Sequence, residues 1–150
     1  MGISSAASFR AVPQAQLGRT EEEVRRVEEC FLRPVYEILP GDDPGFLATR
    51  AADPGFAAWT KRNVHPHKAA GYAAVTLSLK KTGSPPGDAT ADQMDAVADL
   101  ADRYSQGELR ISHEQNLILA DVRQADLHAL WREAKKLGLA TPNVGLLTNI

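Results

Sequence analysis

Polar and apolar side chains alternate along two stretches in the second half of the chain. Ala73, Val75, Leu77 and Leu79 alternate with Ala74, Thr76, Ser78 and Lys80, and Leu109 and Ile111 alternate with Arg110 and Ser112. A period of two is typical of strands with one apolar face. Small side chains on the other face permit close approach, and an arginine can bind carboxylates in a bidentate manner. That face therefore suits a flat anionic ligand, although a solvated antiparallel sheet has the same pattern.

The remaining residues with metal-binding or nucleophilic chemistry form no site by their spacing. His65 and His67 flank a proline, but no third ligand follows at a metal-binding distance, and His128 belongs to a separate helical pattern. The single cysteine, Cys30, is interpreted as a small helix residue rather than a ligand. The sequence therefore predicts no metal site and permits no internal disulfide, which favours a cytoplasmic setting.

The elements that position the polar face follow from helix and turn signals. Thr90 to Gln93 forms a capping box before a helical stripe that ends at Gly107, and a second stripe runs from Leu127 to Leu137. The polar turn at 113–116 joins a strand at 109–112 to a strand at 117–122 as a hairpin. The order is β-α-β-β-α, which predicts an α+β, ferredoxin-like arrangement with both helices on one sheet face.

The first part of the chain carries weaker signals. Residues 1–19 lack a period and predict a loose lead-in, and the capping box Thr20–Glu23 predicts a helix over 21–32. Residues 34–70 are rich in proline and glycine and predict an irregular segment with one short helix near 53–62. This division predicts a lead-in, short helices and a linker over 1–69 and a ferredoxin-like domain over 70–150.

Several blocks resemble the siroheme-dependent sulfite and nitrite reductases. They are Gly71-Tyr72, Val75 to Leu79, Pro86 to Met94, Gly107 to Leu117 and Leu137 to Asn143. The resemblance covers roughly residues 56–150 and is greatest to the ferredoxin-like half-domain in the hemoprotein component of bacterial sulfite reductase. It implies a several-fold longer parent enzyme, in which siroheme and a [4Fe-4S] cluster share a cysteine ligand. Six electrons then reduce sulfite to sulfide or nitrite to ammonia.

The resemblance also implies roles for the hairpin residues. Arg110 and Ser112 are expected to face the carboxylates of siroheme, and Gln115 and Asn116 are expected near the macrocycle. His113 is a weak candidate for proton supply, since imidazole titrates near neutral pH. His67 and Lys68 are further candidates for contact with cofactor carboxylates or a neighbouring domain. Lys80, Lys81, Trp59 and Trp131 are interpreted structurally, the lysines as solvated strand-end residues and the tryptophans as core residues.

The cysteine count limits what the chain can do alone. By the family pattern, the four cluster cysteines follow the segment present here, and one cysteine cannot hold four irons. The chain is therefore expected to be an inactive fragment that retains neither siroheme nor [4Fe-4S]. Its expected partners are a second ferredoxin-like half-domain and a cluster-binding domain of the same parent, with a flavoprotein or ferredoxin as electron donor. Self-association through an uncovered sheet edge or face is a further hypothesis.

Composition excludes some functions and leaves one alternative open. A net charge of −2 argues against general nucleic-acid binding, and no apolar run is long enough to cross a bilayer. The alternative to an enzyme fragment is a stand-alone ferredoxin-like regulatory or interaction module that binds a small ligand or partner on its open sheet face. Fold alone does not separate the two.

Overall fold

The computed structural model describes residues 20–29, 31 and 34–149. The chain divides into two units, residues 1–35 and 36–150. In the first unit, helix α1 (Glu21–Glu29) begins at the predicted capping box, where Thr20 Oγ1 accepts from the Glu23 amide and a Glu23 carboxylate oxygen accepts from the Thr20 amide. Cys30 and the lead-in at 1–19 lie outside the described residues.

The second unit is built on a four-stranded antiparallel sheet. Its helices are α2 (Pro44–Ala52), α3 (Pro54–Asn63), α4 (Ala91–Tyr104) and α5 (Leu127–Lys136), and its strands are β1 (Val64–Pro66), β2 (Tyr72–Leu77), β3 (Leu109–Ile111) and β4 (Leu117–Arg123). The spatial strand order is β1-β2-β4-β3. The β-α-β-β-α order is confirmed for β2 through α5, and so is the predicted α+β, ferredoxin-like arrangement.

The prediction that residues 34–70 are mostly irregular is wrong. The segment forms α2, α3 and β1, and the predicted helix near 53–62 is confirmed as α3. The motif Asp-Pro-Gly-Phe occurs twice, at 43–46 and 53–56, and begins α2 and α3. Each aspartate caps the helix, and each proline occupies the first turn, where a missing amide costs nothing. The predicted boundary between 69 and 70 falls between β1 and β2, within the second unit.

The hydrophobic core lies between the sheet and the helices. Val75, Leu77 and Leu119 from the sheet are fully buried, together with Leu130 from α5 and Val97 from α4. The prediction that Trp59 and Trp131 are core residues is confirmed, since they are 0% and 7% exposed and both belong to the core cluster. The opposite sheet face carries the alternate residues, among them Ala74, Thr76, Arg110 and Ile118. None of the described helices is long and apolar enough to cross a membrane.

The capping box of α4 supplies a test of the local structure. The Thr90 hydroxyl accepts from the Gln93 amide at 3.1 Å, and the Gln93 side chain accepts from the Thr90 amide. We expect Thr90→Val to lower the free energy of unfolding by about 1 kcal/mol, because the side chain keeps its shape but loses the acceptor. Urea unfolding followed by circular dichroism measures this. Thr82→Val, in the exposed loop after β2, is the control, and an equal loss there would contradict the assignment.

Candidate functional site

A groove of about 610 Å³ lies over the polar face of the sheet. Its lining includes Arg110, Ser112, His65, His67, Lys68 and Asp121. These residues come from β1, the loop after β1, β3, the hairpin turn and β4, so residues far apart in sequence meet on one surface. The groove therefore combines basic side chains and hydroxyls with the buried carboxylate of Asp121 and the exposed carboxylate of Glu114.

The strand register explains the floor of the groove. Arg110 lies opposite Ile118, which in turn lies opposite Thr76, so these three residues form one row across the sheet. His65 lies opposite Ala74 in the neighbouring row. The small side chains of Ala74 and Thr76 keep the floor low, as the alternation in β2 predicts. A flat ligand can therefore approach the backbone between a histidine at one edge strand and an arginine at the other.

A β-bulge in β4 directs Asp121 toward this face. Ala73 pairs with Val122 and Val75 pairs with Leu119, so Ala120 and Asp121 together lie opposite Ala74. Strict alternation from Leu117 would instead place Asp121 on the core face. A bulge changes the direction of a side chain but leaves one residue without its hydrogen bonds to the neighbouring strand. Here the Asp121 amide donates instead to the Ser105 hydroxyl, at 3.2 Å.

Asp121 binds two ring side chains at the groove. The Tyr36 hydroxyl donates to Asp121 Oδ1 at 2.7 Å, and His67 Nε2 lies 3.3 Å from the same oxygen. The Asp121 side chain is only 2% exposed, and its Oδ2 has no hydrogen-bond partner within the described part of the chain. The Tyr36 ring meets the His67 ring edge-on, with centroids 5.1 Å apart. We call Tyr36, His67 and Asp121 the aspartate cluster.

The hydrogen bond to Asp121, with burial, raises the pKa of Tyr36 from its ordinary value of 10.0 to about 12. The O–H···O bond therefore contributes fully to the stability of the fold below pH 10. This contribution is lost as the pH rises from about 10 to about 12, because the folded state holds this proton longer than the unfolded state.

We expect Tyr36→Phe to remove the component near pH 12 from a titration of tyrosinate absorbance. Tyr104→Phe should leave that component in place, and its survival in Tyr36→Phe would contradict the assignment.

Two of the predicted cofactor ligands line the groove. Arg110 pairs with Glu108 beside it, and this hydrogen bond raises the pKa of the guanidinium, which remains cationic. The Arg110 side chain is 58% exposed, so its remaining N–H groups are accessible to a ligand. The Ser112 hydroxyl accepts from the Asn116 amide at 3.1 Å, while its own O–H remains available as a donor.

Of the other predicted hairpin residues, His113 lies with these two, and Gln115 and Asn116 do not. His113 is exposed at the groove, whereas Gln115 has a φ of 58° and lies against Gly87, away from the groove. Asn116 is fully buried. Its side chain accepts from the Leu79 amide at 3.3 Å and donates to Asn149 at 2.9 Å. Asn116 and Gln115 therefore fix the hairpin against neighbouring loops, and the hairpin contributes Arg110, Ser112, His113 and Glu114 to the groove.

The interpretation of Lys80 as a solvated strand-end residue is wrong. Lys80 is 6% exposed, and its ammonium donates to the carbonyls of Glu114 and Asn149. Asn149 also donates to the Ser78 hydroxyl at 3.0 Å. The C-terminal segment therefore covers this end of the polar face, and the open part is limited to the rows that contain Ala74 and Thr76. The position of that segment over the sheet is a long-range feature that alternation in β2 does not encode.

Metal-ligand residues do not cluster within residues 20–29, 31 and 34–149. No group of three His, Cys, Asp or Glu side chains in this part of the chain is arranged to hold a metal ion. His65 and His67 instead line the groove, and His128 lies on α5 with its ring centroid 5.0 Å from that of Phe56. The sequence-based interpretation missed Tyr36 and Asp121. The signal for Asp121 was a carboxylate at a core position of an alternating strand, which favours a bulge.

Comparison with known families supports a relationship for the part that carries the groove. Residues 65–137 match the family described as nitrite/sulfite reductase ferredoxin-like half domain. This range includes His65 in β1, His67 in the following loop, the hairpin and the bulge. The match supports a relationship to the nitrite/sulfite reductase family and identifies the fold of this segment as that half-domain.

Similar curated proteins are ferredoxin–nitrite reductases. The chain is 41% identical over 78 residues to the chloroplastic enzyme of Betula pendula, 41% identical over 86 residues to the enzyme of Synechococcus elongatus, and 37% identical over 78 residues to the chloroplastic enzyme of Spinacia oleracea. These alignments include 50% to 55% of this chain. They span only 12% to 16% of the relatives' length.

Proposed function

We propose that this chain supplies one wall of a siroheme pocket in a nitrite or sulfite reductase, with nitrite the favoured substrate. The observation that carries the proposal is the groove on this sheet face, where basic side chains surround a floor that contains Ala74, Thr76 and Ile118. The relatives named above are nitrite reductases with ferredoxin as their named donor, which favours nitrite and a ferredoxin for this protein also.

The residues of the groove fit a flat tetrapyrrole that carries many carboxylates. Arg110 supplies a charge-assisted donor from β3, and Lys68 and His65 supply cationic or donor groups from the opposite edge. Ser112 adds a hydroxyl beside Arg110, and Ala74 permits close approach of the ring. Siroheme, when bound, supplies the iron at which electrons reach the substrate anion. The chain's own residues neutralise the carboxylates of the macrocycle and orient it.

The iron–sulfur cluster of such an enzyme requires cysteines that these 150 residues do not contain. Only Cys30 is present, and a [4Fe-4S] cluster takes four thiolates. We therefore propose that a cluster-binding domain and a second half-domain complete the enzyme, and that the 150-residue chain alone does not reduce nitrite or sulfite. Among the described residues, the three-residue strands β1 and β3 form the two edges of the sheet, at which another domain or a second copy can pair.

Titration of the 150-residue chain with siroheme, followed by the absorbance of the macrocycle, tests the pocket. One wall alone is not expected to retain siroheme through purification, so the expected result is weak but saturable binding of added siroheme. This binding should weaken further as salt is added, because the contacts are largely ionic. A heme with fewer carboxylates is the matched probe and should bind more weakly. Equal affinity for the two macrocycles, or no binding of siroheme, would contradict the proposal.

A further inference from the structure

The aspartate cluster places a buried negative charge under a groove that otherwise suits an anion. Asp121 is 2% exposed, and its Oδ2 has no partner among the described residues. A carboxylate in this position opposes the approach of ligand carboxylates through Coulomb repulsion. A positive charge next to Asp121, in addition to those of Lys68 and Arg110, reduces this repulsion when an anionic ligand is bound.

His67 is placed to carry that charge. Its Nδ1 accepts from the Ala69 amide at 2.9 Å, which assigns the proton of the neutral ring to Nε2, the nitrogen that faces Asp121. Both ring nitrogens of neutral His67 are thus used within the protein. The neutral ring has no polar atom left for a ligand, so its contribution to anion binding depends on gaining a proton.

The loop after β1 can accommodate both protonation states of the ring. Nδ1 of His67 lies 2.9 Å from the Ala69 amide nitrogen and 3.4 Å from the Ala69 carbonyl oxygen. The neutral Nδ1 accepts from the amide, and a protonated Nδ1 can donate to the carbonyl after a small movement. Nε2–H donates to Asp121 in both states, so the ion pair forms without breaking that contact.

We propose that the aspartate cluster is a proton-binding site that takes up a proton at His67 Nδ1 when an anionic ligand occupies the groove. Asp121 is the positioning residue: it orients the imidazole and becomes its counter-ion. The proton comes from solvent and converts a cluster with one negative charge into a neutral pair. Ligand carboxylates favour the protonated ring, so binding and protonation stabilise each other. This inference rests on the proposed function for the identity of the ligand.

The other charged groups around His67 come from each neighbouring element. Tyr36 and Tyr72 contact the ring, and Tyr36 keeps its proton because Asp121 raises its pKa to about 12. The remaining titratable or charged groups along the groove are His65, Lys68, Arg110, His113 and Glu114. His65 and His113 are the alternative sites of proton uptake, and variants of His67 separate them from the cluster.

Isothermal titration of the 150-residue chain with sirohydrochlorin, the metal-free macrocycle of siroheme, tests the inference. At pH 8, heats measured in two buffers of different ionisation enthalpy give the number of protons taken up per ligand bound. We expect net uptake by the unaltered chain and its loss in His67→Gln, which keeps an acceptor for Ala69 but cannot be protonated. Asp121→Asn should also abolish uptake while it keeps the shape of the side chain.

His128→Gln is the control, because it removes a histidine on α5 and should leave the proton count unchanged. Nitrogen NMR of the free chain provides a second readout, with Nε2–H as the expected tautomer of His67. Three results would contradict the proton-binding site without contradicting the siroheme pocket. They are binding of sirohydrochlorin without proton uptake, uptake that persists in His67→Gln, and the Nδ1–H tautomer of His67. Absence of binding would overturn both.

Discussion

Replacing Arg110 by alanine is expected to weaken siroheme binding to this chain by about 10-fold, because the variant loses a charge-assisted hydrogen bond to a ligand carboxylate. Arg110 is the arginine of the groove, and its row also contains Ile118 and Thr76. We expect about 10-fold rather than more, because the side chain is 58% exposed and already pairs with Glu108, with which a ligand must compete. Titration of both proteins with siroheme at low ionic strength measures the ratio of dissociation constants.

Arg103→Ala is a matched control for this experiment. Arg103 also pairs with a glutamate, Glu133, and its side chain is 52% exposed, but it lies on α4, on the helical side of the sheet. Both variants change the net charge equally, so a general charge effect would weaken binding in both. The pocket assignment requires the loss to be specific to Arg110, and equal losses in the two variants would refute it.

Replacing Asn116 by alanine is expected to lower the free energy of unfolding by about 2–4 kcal/mol, since it leaves the Leu79 amide and the Asn149 side chain without their partner in a buried setting. Asn116 is 0% exposed, and its side chain joins the hairpin to the end of β2 and to the C-terminal segment. Urea unfolding followed by tryptophan fluorescence measures the loss, because Trp59 and Trp131 are both in the core.

Glu114→Ala is the control for Asn116, since it alters an exposed side chain in the same turn and should change stability by no more than about 0.5 kcal/mol. The comparison also separates the structural role of Asn116 from the cofactor role that the sequence suggested. A variant of Asn116 that folds with unchanged stability but binds siroheme more weakly would restore the cofactor role.

Local signals in the sequence predicted most elements of the half-domain. The Thr90 capping box, the glycine after α5 and the polar turn at 113–116 act over a few residues, so they can be recognised without tertiary information. Alternation in β2 also predicted the correct core face, with Val75 and Leu77 fully buried. Pro44 was misleading because proline both ends helices and begins them, and only the preceding aspartate distinguishes the two cases.

The site was only partly predictable because it depends on contacts between distant residues. Arg110 and Ser112 were found from their positions on a strand. Tyr36 reaches Asp121 across 85 positions in the sequence, and no local pattern records that approach. Lys80 was misassigned for the same reason, since the segment that buries it lies near residue 149. Burial by a remote segment is a property of the whole fold.

The bulge in β4 also determines where the length of this strand can change. Ala120 and Asp121 share one partner position opposite Ala74, and the residues on either side of them are in regular register. Loss of Ala120 would leave Leu119 and Val122 facing the core and Asp121 facing the groove. Loss of Ile118 would turn Leu117 away from the core. Natural single-residue deletions in the central strand of related proteins should therefore be confined to this doubled position.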